Sequence, residues 1–182
     1  MTGERSLKIV CNHRPSEVPP GVAAATLTGT VAVVLSTFRS DSPDMVLDHR
    51  LWLACMKAVS GTVRADATEV YAEPGPRFLG RFRARPKGHT LGSLDSYGRR
   101  LLSDPSAPEW QFVFWRKGER LVAAAACEPW YRVGGPLRYH DSYTTCVFVD
   151  PAAAQELAQA LDLTARQEGA RVEEMVGYSD LR

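Results

Sequence analysis

This chain of 182 residues lacks the features that mark several large classes of protein. Its longest wholly apolar run, Leu121–Cys127, is far shorter than the ~20 residues that a membrane-spanning helix needs. Its start contains no apolar segment long enough for a signal peptide. A cytoplasmic location is therefore predicted, unless export follows a route that the sequence does not reveal. Without internal repeats, low-complexity tracts or long linkers, residues 1–182 are predicted to form a single domain.

The chain also contains few cysteines, and its formal net charge is close to zero. The four cysteines include no C-x-x-C pair, so the usual spacing of a structural zinc site is missing and buried, reduced thiols are expected. A formal net charge of +1 gives no overall field toward nucleic acid or an anionic membrane. The phosphate-loop, dinucleotide, nucleophile-elbow and zinc-protease motifs are absent as well. We therefore expect no cofactor, no metal and no membrane or nucleic-acid partner.

What the sequence does contain is apolar patterning that predicts an α+β fold. β-Branched residues indicate a strand over Thr28–Phe38, and a cap, a proline and helical periodicity indicate a helix over Pro43–Ser60. Asp150 and Pro151 mark the start of another helix, which Gly169 ends. Short connections between the remaining strands predict antiparallel neighbours. The expected architecture is a mainly antiparallel sheet of about five to seven strands, with two or three helices packed on one face.

The clearest local prediction is a β-hairpin over residues 109–127. A two-residue turn at Lys117 and Gly118 sets its register. In that register the large aromatic residues of the first strand meet small residues of the second in the core, while Trp115 faces away from the core opposite Arg120. The predicted core pairs are Phe114–Leu121, Phe112–Ala123 and Trp110–Ala125.

An arginine-rich stretch follows a predicted turn at residues 74–76. Four alternating arginines would share one face of a strand there. One interpretation is a solvated sheet face, because the predicted register puts two of the arginines opposite Glu69 and Glu73. The other two, Arg83 and Arg85, lie opposite alanines, so they remain candidates for binding an anionic ligand or an acidic partner. The four arginines are Arg77, Arg81, Arg83 and Arg85.

The stretch between Cys127 and Tyr143 concentrates aromatic and charged residues around a Gly-Gly-Pro turn. Trp, Tyr and Arg are enriched at binding hot spots, because they combine a large surface with few rotatable bonds. A long loop that carries them at the end of a hairpin predicts recognition, and the alternative is a loop folded back onto the sheet. The predicted binding residues of this loop are Trp130, Tyr131, Arg132, Arg138 and Tyr139.

The same loop supports a hypothesis of a different class, a small cofactor-independent enzyme with a pocket beneath residues 127–143. His140 is the candidate general base, assisted by Cys127 or Glu128 and by Arg138. Proton transfer, cyclisation or hydrolysis would suit these residue types. The sequence favours a binding or inhibitory module that recognises a protein or a small anionic ligand, because no spacing pattern assembles the catalytic groups. Whether any reaction is catalysed stays open at this point.

Overall fold

A computed structural model describes residues 4–13, 31–41, 44–74, 89–103, 109–128 and 144–174. These residues form nine strands and three helices, which confirms the predicted α+β class. The strands are β1 (Glu4–His13), β2 (Val31–Asp41), β3 (Asp44–Leu47), β4 (Ala67–Pro74), β5 (His89–Gly92), β6 (Glu109–Lys117), β7 (Arg120–Glu128), β8 (Thr144–Val149) and β9 (Arg171–Glu174). The helices are α1 (His49–Thr62), α2 (Leu94–Ser103) and α3 (Pro151–Gln167).

The described strands form a largely antiparallel sheet in the order β5-β4-β6-β7-β8-β2-β1-β9, and β3 pairs with part of β2. The pairing of β1 with β9 is parallel, and the other pairings are antiparallel. The predicted antiparallel sheet is therefore confirmed. The predicted number of five to seven strands is not confirmed.

The helices bury their apolar sides against one face of the sheet. Alternate residues of the central strands join the buried faces of all three helices in one apolar cluster. Two buried tryptophans connect α1 to the sheet: Trp52 Nε1 donates to Thr145 Oγ1 of β8 at 2.9 Å, and Trp115 Nε1 of β6 donates to Ser60 Oγ at 2.7 Å. Both indole N–H groups are thereby satisfied in an interior where an unpaired donor would be costly.

Helix α1 begins six residues later than the sequence predicts. Residues Asp44–Leu47 pair with β2 as strand β3, so they stay extended instead of forming the first helical turn. Asp48 is the N-cap, and its carboxylate accepts a hydrogen bond from the backbone N–H of Leu51 at 2.9 Å. The predicted start at Pro43 is wrong for two reasons. Pairing with β2 satisfies the backbone hydrogen bonds of Asp44–Leu47, and Asp48 is available as a capping residue further along the chain.

Helix α3 begins and ends where the sequence predicts. The side chain of Asp150 accepts a hydrogen bond from Ala152 N at 2.9 Å, and Pro151 is the first helical residue. Gly169 follows the helix with φ +72°, a left-handed conformation that glycine adopts without steric cost. None of the three helices described in this chain is long and apolar enough to cross a membrane.

The β6–β7 hairpin forms, but its turn lies one residue later than predicted. Gly118 and Glu119 are the turn residues, and the flanking pair is Lys117–Arg120. Gly118 has φ +61°. Glycine at the first of two turn positions is the arrangement of a type II′ turn, whose backbone twist matches that of the strands. The prediction had placed glycine at the second position.

A register irregularity next to this turn decides which face of β6 lies beneath the helices. Val122 is an extra residue of β7 between the turn and the Trp115–Ala123 pair. One extra residue exchanges the two faces of a strand relative to its partner. Phe114 is buried, as predicted, but it pairs with Ala124 instead of Leu121 and lies outside the helix-side cluster. Trp115, predicted to face away opposite Arg120, is fully buried beneath α1.

Candidate functional site

Most of the predicted site residues lie outside the described residues. Cys127 and Glu128 are the last two residues of β7, paired with Thr145 and Thr144 of β8. The binding and catalytic roles assigned to the predicted site residues, Cys127 and Glu128 included, stay predictions. Those that lie outside the described ranges are Trp130, Tyr131, Arg132, Arg138, Tyr139, His140, Arg83 and Arg85.

The described strand ends show where the predicted loop leaves the sheet. We call residues 129–143 the aromatic segment. It follows Glu128, the last residue of β7, and precedes Thr144, the first residue of β8, and these two residues are paired with each other. The aromatic segment therefore leaves and re-enters the sheet at two adjacent strands.

The arginine-rich stretch is anchored in a comparable way. We call residues 75–88 the arginine segment. It follows Pro74 at the end of β4 and precedes His89 at the start of β5, and β4 and β5 are antiparallel neighbours in which His89 pairs with Ala72. This segment also starts and finishes at adjacent strands.

The anchors of the two segments lie at the same end of the sheet. Strand β6 separates β4 from β7, and its first residue, Glu109, pairs with Pro74, while Gln111 pairs with Cys127. Because neighbouring strands are about 4.8 Å apart, the exit points of the two segments are roughly 10 Å apart across the sheet. The topology thus attaches the predicted aromatic contacts and the predicted arginines to one end of the same sheet.

The positive charge of the chain is concentrated in these same two segments. The aromatic and arginine segments together contain seven Arg or Lys residues and one Asp, a formal charge of +6. The whole chain carries +1, so the remaining residues sum to −5. A near-neutral total therefore conceals a strongly basic pair of segments, and a local concentration of one charge favours ligands and surfaces of the opposite sign.

No protein-family model matches this chain, and no curated protein or solved structure matches it either. Its function is therefore inferred from its own residues.

A cavity of about 590 Å³ lies at the other end of β4, and we call it the α1–α2 cleft. Its walls come from the second half of α1, the connection between α1 and β4, the first residues of β4, and the start of α2. No residue of the predicted binding or catalytic site lines it. It is thus a different place from the pocket that the enzyme hypothesis requires beneath the aromatic segment. Its polar lining residues are Lys57, Ser60, Asp66, Thr68, Ser93 and Asp95.

An ionic cluster that joins three elements is a feature that the sequence did not predict. Arg5 of β1 donates from Nε to Asp48 Oδ2 at 2.5 Å and from Nη2 to Asp48 Oδ1 at 3.2 Å. Arg5 also donates to the backbone carbonyl of Glu168, the residue that follows α3. The carboxylate of Glu168 lies 3.7 Å from Arg5 Nη2. The hydrogen bond to Asp48 raises the pKa of Arg5. No short-range spacing signals this cluster, because Arg5 and Asp48 are 43 residues apart.

Cys55 is held as an unreactive thiol on the buried side of α1. Its side chain is fully buried, as the sequence led us to expect of the cysteines. Burial raises the pKa of the Cys55 thiol to about 12, and the negative charges of Asp48 and Glu168 act in the same direction. A thiol that stays protonated at neutral pH is a poor nucleophile, so Cys55 acts as a packing residue.

Proposed function

We propose that this protein is a binding or inhibitory module, which recognises an acidic protein surface or a small anionic ligand through the aromatic segment and the nearby arginines. The observation that carries the proposal is the common anchoring of the two segments. Glu128 and Thr144 hold one of them and Pro74 and His89 hold the other, all at one end of the sheet. This arrangement supports the combined use of both sets of side chains on a single partner.

The strands that carry these anchors supply a fixed base. Three of these four strands, β4, β7 and β8, are interior strands of the sheet, and their helix-facing residues are fully buried, among them Val70, Ala125 and Val147. Contact segments that start from such strands bind with a smaller loss of conformational entropy than segments on a mobile base. The architecture therefore favours recognition by a preorganised platform.

The residue types suggest a division of roles. Arg83, Arg85, Arg132 and Arg138 offer planar guanidinium groups, which bind carboxylates and phosphates through two parallel hydrogen bonds. Trp130 and the adjacent tyrosines offer large surfaces that lose little entropy when they are buried. The formal charge of +6 on the two segments would speed association with an acidic partner, and salt would weaken that attraction.

The proposal is tested by capturing a partner from the native host on the immobilised protein and then measuring its affinity by calorimetry at low and high salt. We expect Trp130→Ala combined with Arg132→Ala to weaken binding at least tenfold, as loss of hot-spot residues does. Arg83→Glu combined with Arg85→Glu should weaken binding and reduce its salt dependence. The melting temperature should stay unchanged in both variants.

The matched control is Arg166→Ala, which removes an exposed arginine of α3 that pairs with Asp162 on the same helix. Its affinity for the partner should equal that of the wild type. Equal affinities for all the variants, or an equal loss in the control, would contradict the proposal.

A further inference from the structure

We propose that the α1–α2 cleft is a second binding site, which accepts a small ligand with an amino or guanidinium group on an aliphatic stem. This site is independent of the proposed function. It lies at the opposite end of β4 from the anchor of the arginine segment, since Ala67, the first residue of β4, lines the cleft and Pro74 is the last. The charge that it favours is also of the opposite sign.

The size and the walls of the cleft suit a small molecule. Its volume of about 590 Å³ falls within the range of roughly 300–1,000 Å³ that is typical of ligand pockets. Backbone hydrogen bonds fix the connecting wall, because Ala65 N donates to Ser60 O at 3.1 Å and Asp66 N donates to Arg116 O at 2.9 Å. The wall is therefore formed before any ligand enters.

The ionised side chains of the cleft have an excess of one negative charge. Its lining contains two carboxylates, Asp66 and Asp95, and one ammonium group, Lys57, which gives a formal charge of −1. The Oδ2 atom of Asp66 accepts a hydrogen bond from Gly118 N at 2.9 Å. The Oδ1 atom of Asp95 forms an ion pair with Lys57 Nζ at 3.2 Å. In these contacts each carboxylate uses one oxygen, so the other can accept a hydrogen bond from a charged donor.

The Lys57–Asp95 pair at the cleft is easily opened. The side chains of Lys57 and Asp95 are 61% and 69% exposed. Exposed pairs of this kind contribute little to stability, because water competes for both charges. A ligand cation can thus replace Lys57 beside Asp95 at a small cost.

The rest of the lining suits the stem of such a ligand. Leu94 is buried and offers an apolar contact, and Ala65 and Ala67 add small side chains. Ser60 and Thr68, whose side chains carry hydroxyl groups, also line the cleft. An aliphatic chain between the charged group and a second polar group would match this mixture.

A neighbouring tryptophan provides a direct reporter of occupancy. The indole Nε1 of Trp115 donates to Ser60 Oγ, and Ser60 lines the cleft. A ligand that contacts Ser60 should therefore change the NMR signal of the Trp115 indole N–H. The indole of Trp52 donates to Thr145, which is not a lining residue, so its signal serves as an internal reference.

The test is a titration of the whole ¹⁵N-labelled chain of 182 residues with agmatine, which carries a guanidinium and an amino group on a short aliphatic chain. We expect a saturable shift of the Trp115 indole signal without a matching shift of the Trp52 signal. Asp95→Asn should weaken the apparent affinity roughly fivefold, the effect of losing one exposed charge contact. The dianion glutarate should leave the Trp115 signal unchanged.

Asp162→Asn is the matched control, because it also neutralises an exposed aspartate that is paired with a basic residue on the surface. It should bind agmatine as the wild type does. A linear, unsaturated response, an equal shift with glutarate, or an unaltered affinity in Asp95→Asn would overturn the proposal. The Trp130→Ala, Arg132→Ala variant should keep agmatine binding, so a failure of the proposed function and a failure of this site are distinguishable.

Discussion

The two halves of helix α1 carry ion pairs of similar chemistry in opposite surroundings. At its start, the Asp48 side chain is only 6% exposed and receives two hydrogen bonds from Arg5. Near its end, Lys57 and Asp95 meet at 3.2 Å with more than half of each side chain exposed. Burial strengthens the attraction between charges and makes the loss of one partner costly, whereas exposure makes a pair weak. The first pair therefore maintains the fold, and the second is available to a ligand.

The largest effect is expected at Asp48. Asp48→Ala removes the cap of α1 and leaves Arg5 without its main partner, so we expect the free energy of unfolding to fall by about 3 kcal/mol. Urea denaturation followed by circular dichroism measures this change. Asp48→Asn is the matched variant, and it should lose less because an amide oxygen can still cap the helix. A loss below about 1 kcal/mol in Asp48→Ala would remove the contrast between the two ends of α1.

The Arg5–Asp48 pair also shows what sequence patterns do and do not reveal. The helix of α3 was predictable because its cap, first proline and terminating glycine are neighbours in the chain. The start of α1 was predicted at the wrong cap, because pairing of β3 with β2 depends on residues distant from that cap. The partner of Asp48 lies on another strand, and no local rule brings Arg5 to it.

The hairpin shows the same limit at shorter range. A two-residue turn between two β-like stretches predicted that β6 and β7 pair, and they do. The burial of Trp115 was not predicted, because it depends on the position of Gly118 in the turn and on the extra residue Val122. One residue of register decides which face of a strand lies beneath the helices.

The candidate site was predictable only in its parts. Composition drew attention to the aromatic and arginine segments, but their sequence positions, about fifty residues apart, give no reason to connect them. The strand order supplies that connection, because it puts β6 alone between their anchors on β4 and β7. The α1–α2 cleft had no sequence signal, since its lining comes from three separate stretches of common residue types.

Cys55, on the buried side of α1, gives an intermediate effect that depends on pH. Its pKa is raised to about 12 in the folded protein, from an ordinary value near 9.0. Above pH 9 the unfolded chain loses this proton while the folded chain retains it, so stability falls as pH rises toward 12. At pH 10 we expect a loss of roughly 1 kcal/mol relative to pH 8 from this group.

The contribution of Cys55 is isolated by comparing the wild type with Cys55→Ala in urea at both pH values. Other groups titrate alike in the two proteins, so the difference between the two pH-dependent losses belongs to Cys55. The variant should lose less stability between pH 8 and pH 10. Equal losses would mean that the thiol is more accessible to water than its full burial implies.

The smallest effect is expected at Asp95, and it completes the comparison. Asp95→Asn should change the free energy of unfolding by less than about 0.5 kcal/mol, because water already surrounds both members of its pair. A double-mutant cycle with Lys57→Ala should give a coupling energy of similarly small size, whereas the corresponding cycle of Arg5→Ala with Asp48→Ala should give well over 1 kcal/mol. Denaturation of all six variants in one buffer measures both couplings. Equal couplings would mean that the charges at the cleft maintain the fold as those of the Arg5 cluster do, and Asp95 would then lose its value as a ligand contact.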